Sequence, residues 1–106
     1  MTAKIPPEIL RDAAPAVADG FEAMRGAIMK SGPLDMKTAE LVIIGACVTA
    51  GLETGTKLHA VKLFKMGVPK EAIQQAVLLT FSVTAILWNV SQALLWIDEA
   101  EKMAAQ

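Results

Sequence analysis

Chemistry in this chain could begin with Glu40 and His59. His59 is the only imidazole among 106 residues, the one side chain that ordinarily gains and loses a proton near neutral pH. Glu40 is a carboxylate placed immediately before the apolar run Leu41–Ala50. Two plainer readings stand beside this pairing. An inward-facing histidine is satisfied equally well by a backbone carbonyl, and a glutamate in a first helical turn is favoured by the helix dipole. Cys47 sits within the apolar run and reads as a small buried hydrophobe. Lys57, Lys62 and Lys65 read as a solvated face, and Trp88 and Trp96 as packing residues. One cysteine excludes an intrachain disulfide framework and a CxxC redox pair. One histidine and one cysteine cannot build a zinc site, so no cofactor or metal is expected.

The elements that must position these residues are helices. Ala, Leu, Met, Gln and Lys are frequent, tyrosine is absent, and there is little strand-like alternation. Pro6-Pro7 opens a short helix to about Ala14, and Pro15 starts a second that runs to about Lys30 before Ser31-Gly32-Pro33. Asp35 can cap a third helix, Met36 to about Ala50, ended by Gly51. Thr54 or Thr56 can cap a fourth that runs to Met66, with Gly67 as its stop. A fifth helix is expected over about 70–82 and a sixth over about 84–104, with Ser82-Val83-Thr84 as the break. The third helix is apolar almost all round, the pattern of a helix buried on every side. On the fourth, the three lysines share one sector while His59, Leu63 and Met66 face the other way, toward the interior.

Bulk properties narrow the class. A chain of this mass buries about 65% of its extended surface, enough for one core, so residues 1–106 read as a single domain. Ten basic and eleven acidic residues give a net charge of −1. No cluster of Lys and Arg is present to bind nucleic acid. The mean hydropathy of +0.44 exceeds what so small a monomer can hide. Residues 72–97 carry no charge, long enough to span a bilayer, but the glutamines, hydroxyls and Asn89 within them favour two helices packed against partner subunits. No apolar signal region follows Lys4, so export is not indicated and a cytoplasmic protein is expected.

Three stretches then carry a resemblance: Lys37-Thr-Ala-Glu40-Leu, Gly55-Thr-Lys-Leu-His59-Ala-Val-Lys-Leu, and Gly67-Val-Pro-Lys-Glu-Ala-Ile73. In order, spacing and helical setting, residues 34–96 resemble the carboxymuconolactone decarboxylase and alkylhydroperoxidase D superfamily. The resemblance implies an all-α bundle of about six helices that assembles as a homo-oligomer, a hexamer or trimer. The peroxidase branch carries two thiols seven and four residues before its histidine, and here those positions are Leu52 and Gly55. Cys47 lies twelve residues upstream of His59, on another helix. Dithiol peroxidase chemistry is therefore disfavoured. The decarboxylase branch keeps the histidine without the thiols. By that resemblance His59 is a general acid/base with Glu40 as its partner, in lyase or isomerase chemistry on a small organic acid or lactone. Arg11, Arg25 and Lys57 do not clearly converge to hold a substrate carboxylate. Leu52, Gly55, Phe81 and Trp88 are expected to line the pocket. The alternative reading is a non-catalytic scaffold, or a binder of an apolar ligand in a cleft formed by Trp88, Phe81 and the third helix. Counted from the turn at Gly51, a simple hairpin would leave Glu40 and His59 offset by about 10 Å. Direct contact would then need a tilted crossing, a bridging water or a second subunit.

Overall fold

The computed structural model describes residues 3–106, in which six helices and no strands occur. The chain divides into two compact units, Met1–Leu34 and Asp35–Gln106.

The first unit is a helical pair, α1 (Pro6–Ala13) and α2 (Pro15–Met29). Pro6 and Pro7 occupy the first turn of α1, where a missing N–H costs nothing. Glu8 reaches back to accept from the Ile5 N–H at 3.3 Å. Ala14, at φ −152°, breaks the helix before Pro15. Arg11 on α1 ties the pair by donating to Asp19 at 2.9 Å and lying 3.1 Å from Glu22, both on α2. Along α2, Val17, Phe21, Met24 and Ile28 fall at helical spacing and are all exposed.

The second unit contains α3 (Met36–Thr49), α4 (Glu53–Lys65), α5 (Lys70–Phe81) and α6 (Leu87–Ala104). Asp35 caps α3 by accepting from the Thr38 N–H at 2.8 Å, and that bond holds its carboxyl below the ordinary aspartate range. Both α3 and α4 end in the same way. Gly51 (φ 72°) and Gly67 (φ 81°) take the left-handed conformation. The Leu52 N–H then closes on the Cys47 carbonyl, and the Val68 N–H on that of Leu63, each at 3.0 Å. This tight stop lets α4 begin at Glu53. The threonines expected to cap it do not: Leu52 is the cap residue and Thr56 is a buried residue inside the helix. The last helix also starts later than expected, at Leu87. The N–H groups of Val83, Thr84 and Ala85 all fold back onto the Thr80 carbonyl and extend the break.

The core follows the helical periods. Ile44 and Val48 from α3, Ala60 and Leu63 from α4, Ile73 and Val77 from α5, and Val90, Ala93, Ile97 and Ala100 from α6 pack together with Val68 and Ala85. Lys70 at the start of α5 spans Asp98 (2.7 Å) and Glu101 (3.0 Å), fastening α5 to α6. The third helix is not buried on every side, as its composition suggested. Val42 is 62% exposed and Ala46 is exposed. With Thr38, Leu41 and Gly45, Val42 borders an open groove of about 360 Å³ whose other wall is Ala72, Gln75, Ala76 and Leu79 of α5. Apolar residues mark what prefers cover; they do not supply a covering element. No helix among the described residues is long and apolar enough to cross a membrane.

Candidate active site

Glu40 shares the inward face of α3 with Ile44 and Val48, at intervals of four residues. His59 shares the inward face of α4 with Thr56, Ala60 and Leu63. The core packing that aligns these two faces brings the acid and the imidazole together. Glu40 is 4% exposed and His59 9%. His59 Nδ1 lies 2.5 Å from Glu40 Oε2, a short hydrogen bond inside the protein. A carboxylate only accepts, so Nδ1 donates, and Nε2 is the ring nitrogen left to exchange a proton with another molecule.

The offset expected from a simple hairpin does not occur. Because α4 begins at Glu53, Glu40 lies nine positions before the end of α3 and His59 six positions into α4. The remaining stagger is about 4.5 Å at the helical rise, which the length of a glutamate side chain spans. Neither a bridging water nor a second subunit is needed.

The other side chains around the pair differ from their sequence readings. Lys62, one turn beyond His59, places Nζ 4.0 Å from Glu40 Oε1 while its side chain stays 57% exposed. It is a cation within ion-pair distance of Glu40, and its place three residues after His59 was the signal available in the sequence. Lys57 turns away. It bridges Glu53 at 2.5 Å and Glu99 at 2.6 Å, contacts that raise its pKa, the Glu53 bond most. Arg11 is engaged with Asp19 and Glu22. Thr56, one turn before His59, is fully buried, and its hydroxyl has no hydrogen-bond partner among the described residues.

Of the residues expected to line the pocket, Leu52 is the cap residue of α4, Gly55 lies within α4, Phe81 ends α5 and Trp88 lies in the first turn of α6. Leu52 and Phe81 are exposed, Gly55 is half-buried inside α4, and none of the three lines the α3–α5 groove or the cleft beside α6. Trp88 lines one, with Gly51, Glu53, Asn89, Gln92 and Trp96. Neither cleft includes Glu40 or His59.

Cys47 is half-buried rather than deep in the interior, and its sulfur lies against Gly55 of α4. A Cβ on Gly55 would lie 3.1 Å from Cys47 Sγ. The sulfur therefore occupies the space that a side chain at position 55 would need. In a Cys47→Ala background, Gly55→Ala is expected to stabilise the protein by about 0.5–1 kcal/mol, the usual gain for removing a helix-interior glycine. In the parent chain the same change should yield less, since the sulfur must give way. Urea denaturation of the four chains checks this, and equal gains in both backgrounds would show that Sγ moves aside freely.

No curated protein and no solved structure gives a significant match to the chain. The carboxymuconolactone decarboxylase family pattern, by contrast, matches residues 15–99, a span that takes in Glu40, His59 and Lys62. With an all-helical fold, a buried Glu–His pair on consecutive helices and a match over most of its length, the chain belongs to the carboxymuconolactone decarboxylase family.

Proposed function

We propose that this protein is a thiol-independent enzyme of lyase or isomerase type, moving a proton on a small organic acid or lactone. The carrying observation is the buried 2.5 Å hydrogen bond between Glu40 and His59. Glu40 fixes the orientation and tautomer of the ring; His59 is the general acid/base, exchanging the proton at Nε2. Lys62 supports an anionic substrate, since an exposed ammonium beside the pair can meet a carboxylate without being buried.

A homo-oligomer, of trimer or hexamer type, belongs to this reading. The exposed apolar row on α2, the open groove between α3 and α5, and exposed Val83, Ile86 and Leu87 supply apolar surface of the kind that subunit interfaces cover. The continuous family match across residues 34 and 35 supports treating the chain as one domain.

The test is turnover on a panel of small lactones and unsaturated carboxylic acids. Any activity found should fall about 10²-fold or more in His59→Gln and in Glu40→Gln, with the double variant little worse than either single one. Lys62→Gln should raise KM for acids more than it lowers kcat. If both Gln variants keep full activity, the pair is structural. The binder reading then takes precedence, favoured by the groove of about 360 Å³ bordered by Leu41, Val42 and Leu79.

A further inference from the structure

We propose that the cleft between α6 and the α3–α4 turn is a second site, which binds a small organic cation of the quaternary ammonium class. One wall is a face of α6. Trp88, Gln92 and Trp96 follow one another at intervals of four residues, with Asn89 beside them. The other wall is Gly51 and Glu53, where the left-handed glycine carries no side chain and leaves the space open. The open cleft has a volume of about 320 Å³, room for a small ligand.

The groups facing this space select charge. Asn89 Nδ2 donates to the carbonyls of Val48 and Thr49, each at 3.2 Å, so both amide hydrogens serve to pin the turn against α6. What Asn89 has left for a ligand is its acceptor, Oδ1. Glu53 contributes a carboxylate. It is held by Lys57, but Lys57 is shared with Glu99, so the three groups together remain net negative. No cationic side chain lines the cleft. Two tryptophans, a carboxylate and an amide oxygen form an acceptor-rich, aromatic surface that disfavours anions and suits a diffuse positive charge. Glu40, His59 and Lys62 take no part in it, so the site stands apart from the proton-transfer centre.

Both tryptophans of the chain line this cleft, so intrinsic fluorescence responds to its occupancy. Titration with choline chloride, against sodium chloride at equal ionic strength, should give a saturable change in emission. The carbon isostere, in which a tert-butyl group replaces the trimethylammonium, should bind at least about tenfold more weakly, because it keeps the shape and loses the charge. Trp88→Ala and Glu53→Gln should each weaken choline binding by about tenfold, while His59→Gln leaves it unchanged. Trp88 is 67% exposed, so its removal should not unfold the chain. Equal affinity for the isostere, tighter binding of methyl glucoside, or no saturable response to choline would each overturn the proposal.

Discussion

A His59→Leu variant is expected to lose roughly 3 kcal/mol of unfolding free energy, more than the size of the change would suggest. The imidazole leaves behind a carboxylate that is 4% exposed, whose remaining partner is Lys62 at 4.0 Å. Desolvation of an unpaired acid, rather than lost packing, dominates the cost. The double variant Glu40→Met/His59→Leu removes both polar groups and fills similar volume. It should therefore recover to within about 1 kcal/mol of the parent, or exceed it. Denaturant unfolding of the four chains gives a coupling free energy, which should reach about 2 kcal/mol. Simple additivity would mean that the two side chains do not depend on one another for burial.

The second large effect is expected at Leu63, which is fully buried one turn beyond His59 on the same inward face of α4. Leu63→Ala should cost about 3–4 kcal/mol through lost burial and a residual cavity. Leu63 also closes the end of α4, since its carbonyl accepts the Val68 N–H. Alanine keeps that carbonyl, so the cost of truncation lies in the core packing rather than in the turn. Trp88→Ala, a larger truncation on the exposed side of α6, should stay within about 0.5 kcal/mol. If the two variants unfold at the same denaturant concentration, the placement of the core at this end of the molecule is wrong.

Much of this arrangement was legible in residue types and spacing. Proline and glycine marked the start of α1, the break at Pro15, the ends of α2, α3 and α4 and the start of α5 to within a residue or so, because each acts locally through a missing N–H or a left-handed backbone. The sixth helix began later than expected because its start depends on the Thr80 carbonyl collecting three turn N–H groups, which composition does not signal. The lone imidazole and the carboxylate before the apolar run identified the pair that the structure joins. The estimate of their separation failed on the start of α4. Thr54 and Thr56 looked like caps, whereas the paired hydrogen bonds around Gly51 end α3 so tightly that Leu52 serves instead. Lys62 was read with Lys57 and Lys65 as one solvated sector. Only the position of Glu40 across the helix pair separates Lys62 from Lys57, which Glu53 and Glu99 draw to the other side. In α3, the apolar pattern identified surface that prefers cover and was silent on what provides it.

The central claim is that Glu40 holds the Nδ1 hydrogen of His59 and leaves Nε2 as the proton-exchanging atom. Because the chain has one histidine, long-range ¹H–¹⁵N correlation of its ring observes this pair without ambiguity. In the parent protein with neutral imidazole, Nδ1 should appear as the protonated, pyrrole-like nitrogen and Nε2 as the pyridine-like one. In Glu40→Gln that preference should weaken toward the mixture seen in unconstrained histidine. A parent spectrum with Nε2 as the protonated nitrogen, or one unchanged by Glu40→Gln, would contradict the account.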